Sequence, residues 1–143
     1  MKLALWLGFC LVAYFGFGWW KLKGNDRRLA ASRVGLSDDD LLTALVASGA
    51  DAQSAQSVIQ WIRPYYGRLT TPHLDDHLDS DLRIDPDDIG FFVSEFYRDH
   101  RIPQPTRKKP DVLPDYPGLT LKSLALYLTK KRSAAVRALE VSP

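Results

Sequence analysis

The sequence cannot cross-link itself, because Cys10 is its one cysteine. A single thiol fits a reducing compartment and excludes a disulfide-stapled scaffold within the chain. Signatures of catalysis are missing as well. There is no phosphate loop, no GxSxG nucleophile turn and no dinucleotide fingerprint. His73, His77 and His100 do not make a zinc pattern. His73 and His77 stand four apart, but no glutamate follows His73 and their segment lacks a helical pattern. The acids Asp75, Asp76, Asp79, Asp81, Asp85, Asp87 and Asp88 fail as a calcium loop. Counted from Asp79, the sixth position is Ile84 instead of glycine and the twelfth is Gly90 instead of glutamate. A solvated acidic loop is the default reading of these acids, and a looser divalent-cation site is the lesser one. No catalytic residue, metal site or cofactor is assigned, and the expectation is a protein that is not an enzyme.

Charge is nearly balanced overall, with a net of +2. Its distribution is not. Asp75 to Asp99 holds nine acids and two bases, net −7, and Arg101 to Arg137 holds nine bases and two acids, net +7. The bland reading is mutual neutralisation within one domain. The sharper reading is an acidic face for a basic partner and a basic face near anionic lipid. Nucleic acid is not an expected partner, since the bases come with little aromatic interleaving and no known motif.

What the N-terminus does have is an uninterrupted apolar run. Leu3 to Trp20 carries no charge over 18 residues, a helix of about 27 Å against a hydrocarbon core of roughly 30 Å. Residues 1–20 are therefore read as one transmembrane helix. Trp19 and Trp20 stand where an interfacial aromatic belt falls, and Lys21, Lys23, Arg27 and Arg28 follow at once. Trp19, Trp20, Lys21 and Lys23 are the expected membrane-interface residues, with the lipid bilayer as their partner. The positive-inside rule then gives a single-pass protein of the inner (plasma) membrane with its C-terminal domain in the cytoplasm. A cleaved signal peptide is the rival, with Gly16-Phe17-Gly18 as its cleavage site. A thin basic n-region, and basic residues on the far side of the run, favour retention. Residues 21–36 read as a basic juxtamembrane connector.

Residues 37–137 read as a helical domain, and 138–143 as a fraying tail. Ser37 is placed to cap a helix opened by Asp38, Asp39 and Asp40, with Leu41, Leu42, Leu45 and Val46 at helical spacing and Gly49 as its stop. A second helix starts at Gln53 with an apolar stripe through Ala55, Val58, Ile59 and Ile62, ended or kinked by Pro64 and capped by Gly67. Of Tyr65 and Tyr66, one is expected to be exposed. Arg68 to Ile84 reads as an acidic loop anchored by Leu74, Leu78, Leu82 and Ile84. Asp85 then caps a helix with Pro86 at its first position and a stripe of Ile89, Phe92, Val93, Phe96 and Tyr97. Gly90 within it reads as a close-contact site. Five prolines make Ile102 to Gly118 an extended link. Thr120 caps the last helix, which buries Leu121, Leu124, Ala125 and Leu128 and carries Lys130, Lys131 and Arg132 in its later turns.

From Leu78 to Ile89 the chain reads Leu-Asp-Ser-Asp-Leu-Arg-Ile-Asp-Pro-Asp-Asp-Ile. That stretch, the stripe through Phe96, Ile102-Pro103 and the run Leu119 to Leu124 together resemble the acyl carrier protein fold over roughly Gln53 to Lys131. More narrowly, the chain resembles a bacterial acyl-carrier-like family of unknown function. The resemblance implies an all-α fold, a small acyl-carrier-like helical bundle following the N-terminal transmembrane helix. It also implies an acidic helix that binds a protein partner through Asp85, Asp87, Asp88 and Glu95. One departure decides the chemistry. A working carrier presents Asp-Ser-Leu at the start of that helix, and its serine hydroxyl holds the phosphopantetheine arm. Here Asp85-Pro86-Asp87 stands in that place, and proline has no hydroxyl. Modification at Ser80 is the alternative, and it would require the helix to begin there with Pro86 inside it. A further alternative is an immunity- or regulator-type protein whose span itself contacts a membrane partner. The preferred expectation is a membrane-anchored, non-enzymatic interaction module.

Overall fold

The computed structural model describes residues 37–66, 72–106, 113 and 118–140. The chain divides between Gly35 and Leu36, and the described residues belong to the second unit. The apolar run 1–20, with Trp19 and Trp20, and the connector with Lys21 and Lys23 lie outside the described residues. So do Gly67, most of the proline-rich link and the last three residues. Among the described residues no helix is long and apolar enough to cross a membrane.

That part of the chain is all-α. Helices α1 (Asp38–Ala47), α2 (Ala52–Ile62), α3 (Pro86–Asp99) and α4 (Leu121–Glu140) form, with a 3-10 turn at Arg63–Tyr65 after α2. Among the described residues no strand forms, and His77 and Thr120 make an isolated antiparallel bridge.

Local chemistry sets the helix ends. Ser37 caps α1 reciprocally: the Asp40 N–H donates to its Oγ at 3.1 Å, and the Ser37 N–H donates to Asp40 Oδ2 at 2.8 Å. At the other end Gly49 takes φ 103°, which lets the Ala50 N–H reach the Leu45 carbonyl at 3.2 Å and the Gly49 N–H reach Val46 at 3.0 Å. Helix α2 starts at Ala52, one residue before the expected Gln53, because Asp51 accepts from the N–H groups of Gln53 and Ser54. Pro64 ends its α-helical bonding, and the chain tightens into the 3-10 turn.

Asp85 caps α3 by accepting from the Asp87 N–H at 2.9 Å, with Pro86 at the first position. The end of α3 repeats the geometry of α1 with a different residue. Arg101 stands at φ 54°, the Ile102 N–H donates to the Tyr97 carbonyl at 2.8 Å, and the Arg101 N–H to Arg98 at 3.2 Å. Gly90 does not make the expected close contact: a Cβ there would meet nothing within 4 Å. Thr120 and Ser123 cap α4 through each other's hydroxyls. Helix α4 runs to Glu140, beyond Arg137 where fraying was expected. Lys130, Lys131 and Arg132 therefore sit inside the helix, and Arg137 is the base in its last turn.

The apolar stripes meet in one core. Leu45, Val58, Ile62, Phe92, Phe96, Tyr97, Leu121, Leu124 and Leu128 are all buried in it. Helix α1 packs on α2, and α2 on α4. Helix α3 joins through Trp61, whose ring stacks on Phe92 at 4.3 Å and 9°, and through the Tyr97 and Tyr127 hydroxyls 2.9 Å apart. The acidic loop is fastened to the start of α4. Leu78 N–H donates to the Leu119 carbonyl, Leu121 N–H to Asp76, and Lys122 N–H to Leu74, at 3.0–3.1 Å. The bonds from Leu121 and Lys122 satisfy donors that a helix start leaves without partners. Leu78, Leu82 and Ile84 are buried beneath it. Asp76 is only 4% exposed, and its Oδ2 accepts from the Tyr66 hydroxyl and the His73 N–H, both at 2.7 Å. The expectation of a wholly solvated acidic loop fails at this residue, because a hydroxyl and an amide replace its water.

Candidate functional site

At 3.6 residues per turn, the buried stripe of α3 fixes what its other side presents. Asp87, Phe91 and Ser94 fall opposite the core, and Asp88 and Glu95 line one flank. Asp85, Asp87, Asp88 and Phe91 are exposed, Phe91 to 65%. The fold thus turns a large aromatic ring outward in the middle of an acidic helix.

The four expected partner-binding acids do not act as one group. Asp85, Asp87 and Asp88 stand together at the start of α3. Asp85 is engaged by its own helix as the cap. Asp87 has no ion pair among the described residues. Asp88 Oδ2 accepts from the Tyr65 hydroxyl at 3.0 Å, which ties the turn after α2 to the start of α3. Burial, then the bond to Asp88 and its charge, hold the Tyr65 phenol above its ordinary value. Glu95 lies two turns further on, and Arg98 donates to it at 3.1 Å and to Asp99 at 3.4 Å. Arg98 offsets one of the two acids in the C-terminal half of α3, while the N-terminal half, with Asp87 and Asp88, carries no base.

Phe91 and Tyr65 were absent from the expected set. Phe91 drops out of the apolar stripe at helical spacing, so its outward position was available from a helical wheel. The Tyr65–Asp88 bond spans 23 residues and has no local signal.

Arg132, from the basic block, pairs with Asp51 at 2.8 Å. Asp51 lies outside the acidic block and is saturated: it also accepts from Ser54 Oγ at 2.6 Å, and its N–H donates to Thr129 Oγ1. Burial works against the Asp51 carboxylate, yet the bonds from Ser54, the Arg132 charge and Thr129 together hold its carboxyl below the usual range. Nearby, the His100 ring lies 4.2 Å from that of Phe96. Burial, then the Arg132 charge, push this imidazole below its ordinary value.

Ser80 sits exposed in a turn, and α3 begins six residues later at Pro86. The helix start that a modified Ser80 would need does not form. Asp79 Oδ1 is buried without a hydrogen-bond partner among the described residues. Among those residues no group of three or more histidines, cysteines or acids is placed to hold a metal ion.

The chemistry this face offers is recognition: carboxylates around an apolar ring suit cations around an apolar hollow. Compared with known proteins, no family model, no curated protein and no solved structure matches the chain.

Proposed function

We propose that the chain is a membrane-anchored, non-enzymatic interaction module. In this reading residues 1–20 span the inner membrane once, Trp19, Trp20, Lys21 and Lys23 sit at its interface, and the helical domain stands in the cytoplasm. The domain resembles an acyl carrier whose cargo chemistry is gone, because Pro86 occupies the place of the arm-bearing serine. What remains of a carrier is its acidic helix. Asp85, Asp87 and Asp88, with Glu95 further along, form the docking face for a protein partner.

One observation carries this reading. The start of α3 exposes three carboxylates, and Arg98, in the last turn of the same helix, is occupied by Glu95 and Asp99. Surface acids cost the fold little in water, but a row of them beside an exposed aromatic raises the attraction for a cationic partner. The test is recovery of partner proteins on the full-length chain extracted in detergent. Asp87→Lys with Asp88→Lys is expected to abolish recovery while leaving the helical circular dichroism intact. Unchanged recovery contradicts the reading.

A further inference from the structure

We propose that the acidic face of α3 receives the outer face of α4 from a second copy of this chain. This rests on the interaction reading above and names the partner of that same face.

The two surfaces match in size and charge at the level of single turns. On α3, Phe91 projects outward with Asp87 one turn before it and Glu95, half-exposed and also accepting from Arg98 at 3.1 Å, one turn after. On α4, Lys130, Ser133, Ala134 and Arg137 are all exposed and fall at offsets 0, 3, 4 and 7, one stripe of the helix. The middle of that stripe is small, Ser133 and Ala134, and a base stands about one turn away on either side. A large ring between two acids thus faces a hollow between two bases, with the charges in each stripe about 10–12 Å apart along the axis at ~1.5 Å per residue. That is ridge-into-groove packing with the charges in register.

Among the described residues, nothing covers Phe91 or the outer stripe of α4. Phe91 is 65% exposed, and Lys130, Ser133, Ala134 and Arg137 are exposed too. Buried residues of α4, including Leu121, Leu124, Ala125 and Leu128, lie on the opposite side of that helix. The two outer faces can meet only between copies. The contact is heterologous, since a patch on one copy meets a different patch on the next.

The test uses two differently tagged full-length copies, co-expressed and extracted in detergent, with recovery of one tag on the other as readout. Wild-type copies are expected to co-purify, less so as salt is raised. Two copies that both carry Asp87→Lys and Glu95→Lys are expected to lose recovery about tenfold or more. Two copies that both carry Lys130→Glu and Arg137→Glu are expected to do the same. One copy of each kind restores every opposite-charge contact and is expected to recover near the wild-type level. Phe91→Ala, a substitution at an exposed position, gives the same loss without altering charge. Association that ignores all of these changes, as contact through the apolar run would, overturns the proposal, and so does failure of wild-type copies to associate. If wild-type copies stay apart while Asp87→Lys with Asp88→Lys still abolishes recovery of another protein, the second-copy inference falls and the interaction reading stands.

Discussion

Asp51 and Asp87 each stand at the start of a helix, and the fold treats them in opposite ways. Asp51 caps α2, accepts from Ser54 Oγ and Arg132, and donates its own N–H to Thr129. It joins the first turn of α2 to the middle of α4, across 81 residues of sequence for the Arg132 bond. Asp87 faces solvent from the first turn of α3 and has no ion pair among the described residues. The same contrast holds for apolar groups: Leu124 is fully buried and Phe91 points outward. One end of the bundle is stitched by its polar groups, while the outer face of α3 keeps polar and apolar groups in reserve. In the proposed reading, stability lives at the first and recognition at the second.

The largest expected difference is between the two apolar residues. Leu124→Ala removes a side chain from the centre of the core and is expected to cost about 2–5 kcal/mol in thermal or denaturant unfolding. Phe91→Ala is expected to stay within roughly 0.5 kcal/mol of the wild type. A comparable loss for both would place Phe91 in the fold's own packing and erase the contrast.

A second comparison concerns the stitched end and the far end of α3, where the same turn is built on different residues. Gly49 at φ 103° adopts a backbone that an L side chain resists, and its neighbour, the Leu126 side chain at 3.6 Å, leaves ordinary room for a Cβ. Gly49→Ala is therefore expected to cost about 1 kcal/mol from backbone strain alone. Arg101 already bears that strain at φ 54°. Arg101→Gly is expected to stabilise the domain by about 0.5–1 kcal/mol, read by chemical denaturation. Opposite signs at two matching turns would separate conformation from contact.

The smallest effect is that of pH. His100 has a lowered value in the folded chain, so protons bind the unfolded chain more tightly. Its contribution is complete above about pH 6.5, the ordinary histidine value, and is lost as pH falls through the lowered folded value. The melting temperature is expected to drop on acidification below about pH 6.5, and His100→Gln to flatten the drop. Asp51 acts lower on the scale: its stabilisation is present above the ordinary aspartate value near 3.9 and disappears as pH falls further.

Much of the fold was legible because its signals are local. Ser37 before three aspartates, Asp85 before Pro86 and the 3-4 spacing of apolar residues each act within a turn or two, and the structure places them as read except in α1, where Leu41 and Leu45 are buried but Val46 is 42% exposed. Asp51 was missed as a cap although it stands two residues before the Gln53 that was taken as the start, and its full role depends on Arg132, which no local pattern links to it. Asp76 reads as one more solvated acid until Tyr66 and the start of α4 close over it. Gly90 shows the reverse error, since composition implied a close approach that the backbone does not make. Helix α4 outran its expected end because Ala134, Ala135, Ala138 and Leu139 favour helix strongly and no glycine intervenes. At the candidate face, the acids were legible from charge alone. The outward ring of Phe91 was legible too, from its place off the apolar stripe, whereas the sharing of Arg98 between Glu95 and Asp99 is seen only in the structure.

The most direct measurement sets Asp51→Ala beside Asp87→Ala in thermal unfolding at neutral pH. Loss of the cap and of the Arg132 partner is expected to lower the melting temperature by about 5–15 °C for Asp51→Ala, on the scale of ~4–8 °C per kcal/mol for a domain near this size. Asp87→Ala is expected to lower it less, by about 1–8 °C, since a first-turn acid contributes about 0.3–1 kcal/mol at an exposed site. An equal or larger drop for Asp87→Ala would mean that the fold consumes the carboxylates of α3, and that they are not held for a partner.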